Sequence, residues 1–106
     1  MSKINIEISL KKNNIEELNL KTNGIIQDER IKYKEDKIIN IFDIKEEKLE
    51  RKTKEYNLII DFKNEEIITE YLELKINIIE KKKENNKIII KYKMEKDIFE
   101  YELIWR

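Results

Sequence analysis

The chain has 106 residues, about the length of one ordinary domain, and its 23 Lys and Arg residues balance its 23 Asp and Glu residues. It contains no His and no Cys, which excludes disulfides, zinc–thiolate sites, thiol chemistry and the commonest general base. Because the charges balance and are interleaved, the composition also lacks the positive excess that nucleic-acid-binding proteins concentrate against phosphates.

Apolar and charged residues alternate almost from end to end. The stretch Ile4-Asn5-Ile6-Glu7-Ile8 opens the chain, and Phe99-Glu100-Tyr101-Glu102-Leu103 closes it. Successive side chains of a β-strand point to opposite faces, so this period of two predicts strands with one buried and one wet face. A coiled coil would need apolar spacings of three and four over several heptads, and these spacings are twos.

Short polar segments separate the alternating stretches. In chain order we predict strands at residues 3–11, 16–27, 30–35, 38–44, 48–53, 56–63, 67–80, 87–95 and 98–106. Asn and Asp in the separators, as at Asn13-Asn14, suit turns because they tolerate left-handed backbone. The stretch 43–55 fits a strand less clearly and leaves a helical turn open. No internal repeat is evident, and Gly24 inside the second strand indicates a bulge or a tight bend.

These separators are too short for the crossover connections that parallel strands need. The expected fold is therefore all-β, an antiparallel meander of eight or nine strands that forms one domain over residues 1–106. With one apolar face, such a sheet either folds into a sandwich or closes into a barrel, and we expect a closed or nearly closed, lipocalin-like barrel.

Parity along the strands predicts which side chains face the interior. The inward set is Ile4, Ile6, Ile8, Leu10, Leu18, Leu20, Thr22, Gly24, Ile26, Ile31, Tyr33, Glu35, Leu49, Arg51, Tyr56, Leu58, Ile60, Phe62, Leu72, Leu74, Ile76, Ile78, Ile88, Ile90, Tyr92, Met94, Phe99, Tyr101, Leu103 and Trp105. Strand 38–44 is apolar on both faces, so its phase stays open. Glu35 and Arg51 are the charged exceptions, and buried charges need a partner, a barrel mouth or a ligand.

Several short motifs resemble a known family. They are Leu20-Lys21-Thr22-Asn23-Gly24, Ile31-Lys32-Tyr33-Lys34-Glu35, Leu49-Glu50-Arg51, Tyr71-Leu72-Glu73-Leu74 and Ile90-Lys91-Tyr92. In this order they resemble the YwiB-type proteins, small bacterial barrels of the calycin class, although this chain looks like a shortened member because Glu35 runs almost directly into Ile38. The resemblance implies a calycin-like barrel and no established activity.

No residue set has the spacing of a known catalytic or metal site, so we expect neither an enzyme nor a cofactor. Glu46-Glu47 and Glu65-Glu66 are expected to be solvated turns rather than metal ligands. Lys81-Lys82-Lys83 is expected to be a hydrated turn that discourages aggregation at a sheet edge. Tyr92 shares the parity of Ile88 and Ile90, which indicates a core aromatic rather than a base-stacking one.

The leading functional expectation is a non-enzymatic barrel that binds a small apolar or amphipathic molecule in its mouth. The alternative is a structural or protein-interaction module with a filled core and no ligand. For the first, the candidate site is Arg51 with Tyr33, Thr22 and Tyr92 as polar neighbours and with Glu35 neutralising Arg51 when no ligand is bound. Arg suits a carboxylate or phosphate head group because its guanidinium is a planar fork of donors.

Location and assembly can also be addressed. The chain has no apolar run of the ~20 residues that cross a bilayer, and its N-terminus does not resemble a signal peptide, so we expect a cytoplasmic protein with no membrane or nucleic-acid partner. If Met94 faces Phe99 across the last hairpin, then Ile89 lies opposite Ile104 and beside Ile79. Such an outward apolar strip predicts a covering segment or a homodimer.

Overall fold

A computed structural model describes all 106 residues and contains eleven β-strands and no helix. The strands are β1 (Ser2–Lys12), β2 (Ile15–Gln27), β3 (Arg30–Glu35), β4 (Ile38–Asp43), β5 (Lys48–Lys52), β6 (Asn57–Asp61), β7 (Glu66–Thr69), β8 (Glu73–Lys75), β9 (Asn77–Glu84), β10 (Lys87–Met94) and β11 (Asp97–Trp105). Their order in the sheet is β8-β7-β6-β5-β4-β3-β2-β1-β11-β10-β9.

The predicted all-β antiparallel class is confirmed, with eleven strands in place of eight or nine. The difference arises in the stretch 67–80, which we expected to be one strand. The Thr69 hydroxyl accepts hydrogen bonds from the backbone N–H groups of Tyr71 and Leu72 at 3.2 and 3.0 Å, and this local bonding turns the chain between β7 and β8. The stretch 43–55 holds a turn and strand β5 rather than a helix.

Left-handed residues make the tight turns, as the Asn and Asp separators predict. Asn13 and Asn14 have φ of 51° and 67° between β1 and β2, and Asp28 and Glu29 have φ of 52° and 62° between β2 and β3. Two consecutive residues with positive φ match the twist of the flanking strands in a two-residue hairpin. Gly24 does not have positive φ and lies opposite Tyr33, so no left-handed bend occurs there.

The chain contains two compact units. The central unit comprises residues 1–4 and 23–75, and therefore holds the end of β2 and all of β3 to β8. The terminal unit comprises residues 5–22 and 76–106, and holds most of β1, the start of β2 and all of β9 to β11.

Within the central unit a five-residue turn recurs at a spacing of 18 residues, whereas no repeat was expected from the sequence. Asp43-Ile44-Lys45-Glu46-Glu47 recurs as Asp61-Phe62-Lys63-Asn64-Glu65. Glu47 and Glu65 both have φ of 55°. The backbone contacts repeat as well, because Ile44 donates to the carbonyl of Glu29 at 2.9 Å and Phe62 donates to the carbonyl of Glu47 at the same distance. Because several residues differ between the two copies, the repeat is not apparent from residue identities alone.

The buried face of the central unit carries an apolar row that crosses its strands in register. The row runs Ile31, Phe42, Leu49, Ile60, Ile67, and each of these residues is buried. The rings of Phe42 and Phe62 lie 6.3 Å apart between centroids. This arrangement settles the phase of the strand predicted at 38–44: its buried side chains are Asn40, Phe42 and Ile44.

Three residues of the predicted inward set in the central unit are exposed instead. Tyr56 is 43 % exposed, Leu72 is 50 % exposed and Leu74 is 40 % exposed. Tyr56 and Leu72 lie in the turns before β6 and β8, where strand parity does not apply. Leu74 lies on β8, a three-residue strand at one end of the sheet order. Parity therefore fails where strands are short or interrupted.

In the terminal unit, β11 pairs with both β1 and β10, and the register brings Ile8, Leu103 and Ile88 into one buried row. Tyr92 is buried at 5 % exposure and stacks on Phe99, with ring centroids 5.3 Å apart. The expectation that Tyr92 is a core aromatic is confirmed.

The expected isoleucine strip is wrong in its register. Met94 lies opposite Asp97 rather than Phe99, and Ile89 therefore lies opposite Glu102 on one side and Lys82 on the other. The outward rows mix charged and apolar residues, so Ile79, Ile89 and Ile104 do not form the strip on which the homodimer expectation rested. Lys81-Lys82-Lys83 is also not a turn: it lies in β9, and the turn follows at Asn85-Asn86.

Candidate functional site

Three polar residues lie side by side across the buried face of the central unit. Tyr33 on β3 is directly opposite Asn40 on β4, and Asn40 is directly opposite Arg51 on β5. Directly opposite residues in an antiparallel pair have their Cβ atoms about 4.5–5.5 Å apart. Glu35 shares this face because it follows Tyr33 by two positions on the same strand. We call Tyr33, Glu35, Asn40 and Arg51 the polar row.

The two charged members of the polar row are paired. Arg51 Nη2 donates hydrogen bonds to both carboxylate oxygens of Glu35, at 3.1 and 3.2 Å. The side chains are 24 % and 21 % exposed, so the pair is partly dehydrated yet reaches solvent. Arg51 therefore does not extend into bulk water. The two inward charges that parity singled out neutralise each other at the ends of their strands.

Asn40 has an unusual environment for a polar side chain. It is 0 % exposed, and neither its Oδ1 nor its Nδ2 has a hydrogen-bond partner within the protein. The buried Nε of Arg51, on the facing strand, also has none. Leaving a buried donor or acceptor unsatisfied costs about 1–3 kcal/mol, and native proteins satisfy the great majority of such groups. The polar row therefore has three buried atoms that are available for hydrogen bonds. Asn40 Oδ1 is an acceptor, and Asn40 Nδ2 and Arg51 Nε are donors.

Comparison of the two copies of the repeat shows that the buried amide occurs in only one of them. Asn40 corresponds to Leu58, 18 residues further on, and that position carries no polar group in the second copy. Beside the polar row lies the apolar row that includes Phe42 and Leu49. The buried face is therefore amphipathic: a polar patch at one end of the strands adjoins a continuous hydrocarbon surface.

The other two predicted site residues belong to the terminal unit. Thr22 is half-buried on β2, and Tyr92 is packed against Phe99 on β10. Tyr33, Glu35 and Arg51 lie together in the central unit as predicted, whereas the roles of Thr22 and Tyr92 at a ligand stay predictions. Both were selected because parity placed them, as polar side chains, on the inward face.

The sequence did not indicate Asn40, the residue of the polar row that holds two unpaired buried atoms. Parity could not place it because the segment 38–44 is apolar on both faces. The repeat supplies the missing signal: aligning Asp43 with Asp61 aligns Phe42 with Ile60 and Asn40 with Leu58. Ile60 was predicted to face inward, so this alignment places Phe42 on the inward face. Asn40 lies two residues before Phe42 and therefore shares that face.

The outward side of the central unit bears a shallow cavity of about 650 Å³. Its lining is Met1, Ile25, Gln27, Asp28, Arg30, Lys32, Ile41, Asp43, Lys45 and Glu46. Arg30 and Asp43 close an ion pair at 3.2 Å within it. Acidic and basic side chains are equal in number along this lining, so it has no strong charge with which to attract a charged ligand.

Asp61, the last residue of β6, is the only charged residue of the chain that is buried. Asp61 is 3 % exposed and accepts hydrogen bonds from the backbone of Lys63 and Asn64 and from the Asn64 amide, at 3.1, 3.0 and 2.9 Å. Burial alone raises the pKa of Asp61, but the hydrogen bonds from Asn64 and the charge of Lys48 outweigh it and hold the pKa below its ordinary value. These bonds assign Asp61 to the turn, not to a reactive site.

Comparison with known proteins adds no relative: no family model, curated protein or solved structure matches the chain. No group of three or more His, Cys, Asp or Glu side chains is placed to hold a metal ion. None of the structure's elements is a helix long and apolar enough to cross a membrane.

Proposed function

We propose that this protein is a non-enzymatic binding protein for a small amphipathic molecule, whose polar group is held at the polar row. The observation that carries the proposal is Asn40, a fully buried amide without a hydrogen-bond partner, facing a second buried and unpartnered atom at Arg51 Nε. A folded protein loses stability by keeping such atoms unpaired, and a ligand that pairs them recovers that loss on binding.

The surroundings of the polar row fit such a ligand. Arg51 and Glu35 retain about a quarter and a fifth of their side-chain exposure, so the charged end of the polar row meets solvent while Asn40 is fully buried. The neighbouring apolar row, with Phe42 and Leu49, is buried hydrocarbon, and in this proposal the ligand's tail packs against it. In this proposal Tyr33 flanks the ligand's polar group.

The calycin-like barrel of a YwiB-type bacterial protein and a cytoplasmic location belong to the same proposal. Their support is the set of short motifs around Gly24, Tyr33, Arg51, Leu72 and Tyr92 together with the antiparallel meander. Proteins of one fold serve many functions, so the binding role rests on the polar row and not on this likeness.

A structural or protein-interaction module without a ligand is the second candidate. The observation that favours it is the Glu35–Arg51 pair, which satisfies two charges internally. Native mass spectrometry of freshly purified protein distinguishes the two. A reproducible additional mass that is lost in the Asn40→Leu variant supports binding, whereas a bare mass for the unmodified chain favours the module. The Asn57→Leu variant, which makes the same substitution at an exposed position of β6, is the control.

A further inference from the structure

The polar row differs from an ordinary anion site because its positive charge is already neutralised. Both oxygens of the Glu35 carboxylate lie against Nη2 of Arg51. An anionic ligand would have to displace Glu35 and leave a partly buried carboxylate unpaired, or bind beside it against its repulsion. Removing the partner of a buried charge is costly, so the pair disfavours a carboxylate or phosphate.

The atoms that remain available define the complementary group. Asn40 Oδ1 accepts, Asn40 Nδ2 donates and Arg51 Nε donates. A carboxylate only accepts, so it would leave the Asn40 carbonyl oxygen unpaired; an ammonium only donates, so it would leave Asn40 Nδ2 and Arg51 Nε unpaired. A carboxamide supplies an acceptor and a donor on one planar group. Exchanging the amide oxygen and nitrogen of Asn40 leaves this conclusion unchanged, because neither atom has a partner.

We infer that the ligand's polar group is an uncharged carboxamide or lactam, which pairs with the Asn40 amide and with Arg51 Nε while Glu35 stays bound to Arg51. This inference rests on the proposed function and specifies the chemistry of that site. It replaces the anionic head group that the sequence indicated, because the inward position of Asn40 was not visible in the sequence pattern. The apolar row takes the hydrocarbon part of the molecule.

Three probes with the same eight-carbon chain and different polar ends test the inference: octanamide, octanoate and octylammonium. Binding to the unmodified protein is measured by isothermal titration calorimetry at pH 7. We expect octanamide to bind at least tenfold more tightly than either charged probe. Equal or tighter binding of octanoate or octylammonium, or no binding of octanamide, overturns the inference.

Two variants, Asn40→Leu and Glu35→Gln, test which residues determine the preference for octanamide. Asn40→Leu should weaken octanamide binding at least tenfold, whereas the exposed control Asn57→Leu should leave it within twofold. Glu35→Gln should remove the neutralising charge and tighten octanoate binding at least tenfold, which reduces the preference for octanamide. Unchanged octanamide binding in Asn40→Leu, or unchanged octanoate binding in Glu35→Gln, contradicts the assignment. Circular dichroism of each variant confirms that it is folded.

The two proposals fail in different ways. A bare native mass together with no binding of any probe rejects the binding function itself. Probe binding that favours octanoate or octylammonium, with or without a co-purified mass, leaves the binding function standing and rejects only the carboxamide assignment.

Discussion

Asn40 and Arg51 lie directly opposite each other on β4 and β5, and each keeps a buried polar atom without a hydrogen-bond partner. The first prediction follows from this pairing. In protein freed of bound molecules by refolding, Asn40→Leu should raise the free energy of unfolding by about 1–3 kcal/mol, because it removes two unsatisfied buried atoms. Urea denaturation measures the change, and Asn57→Leu should alter stability by less than about 0.5 kcal/mol. A destabilised Asn40→Leu variant would show that the amide is satisfied in solution.

The second prediction concerns the Glu35–Arg51 pair, whose side chains are 21 % and 24 % exposed. A double-mutant cycle with Glu35→Gln and Arg51→Met should give a coupling energy of about 1 kcal/mol, since the pair is more protected than a surface ion pair but still hydrated. The cycle is measured by urea denaturation at 0.05 and 0.5 M NaCl. The exposed pair of Lys63 and Glu46, 3.8 Å apart, provides a reference cycle and should couple more weakly. Equal coupling for both pairs would argue against partial burial.

The third prediction is a pH dependence that arises from Asp61. Its pKa is lower in the folded protein than in the unfolded chain, so its contribution to stability is present above its ordinary pKa and is lost as the pH falls through the folded pKa. Stability should therefore decline below about pH 4. Asp61→Asn should cost about 2 kcal/mol at pH 7 and show a shallower decline between pH 5 and pH 3.

Asp36→Asn is the control for Asp61, because Asp36 is exposed in the turn after β3. It should leave both the stability at pH 7 and the shape of the acid decline close to those of the unmodified protein. An Asp61→Asn variant that keeps the full acid decline would show that the dependence comes from other carboxylates.

The fourth prediction tests the register of the terminal unit. Lys91 lies opposite Glu100 on β11 and opposite Glu80 on β9, and Lys11 approaches Glu100 at 4.0 Å. Lys91→Glu would place three acidic residues in one row and should destabilise the protein by about 1 kcal/mol, less at high salt. Lys11 lies directly opposite Glu100 on β1 and has to change sign with it, so adding Glu100→Lys together with Lys11→Glu should recover part of the stability. In the register expected from the sequence, Lys91 would face Glu102, so rescue by Glu102→Lys in place of Glu100→Lys would contradict the observed pairing.

Much of the fold is predictable from the alternation of side chains alone. The long strands β1, β2, β10 and β11 match their predicted bounds within about two residues, because many consecutive alternations specify them. Strands β7 and β8 are short, and the Thr69 turn between them depends on a side-chain-to-backbone contact that periodicity does not report. The register of β10 depends on the turn that precedes β11, so an error of two residues there moved Ile89 away from Ile104.

The candidate site was predictable only in part, because parity reveals a charged residue on an apolar face but cannot place a polar residue in a strand that is apolar on both faces. Glu35 and Arg51 interrupt otherwise apolar faces, and a charge at such a position is conspicuous in the sequence. Asn40 is surrounded by Ile38, Ile39 and Ile41, so both faces of its strand look apolar and parity cannot assign it. Pairing with the neighbouring strands, which only the three-dimensional structure provides, determines that Asn40 faces Arg51.

The 18-residue repeat of the central unit has a consequence for how such a chain changes in length. Ile31, Leu49 and Ile67 are separated by this even number, and all three are buried on the same face. Duplication or deletion of one whole hairpin would leave every later side chain on its own side of the sheet, whereas insertion of a single residue in a strand would turn the rest of that strand over. Descendants of this architecture are therefore expected to differ by complete hairpins, and an engineered copy of residues 43–60 is the natural unit with which to widen the sheet.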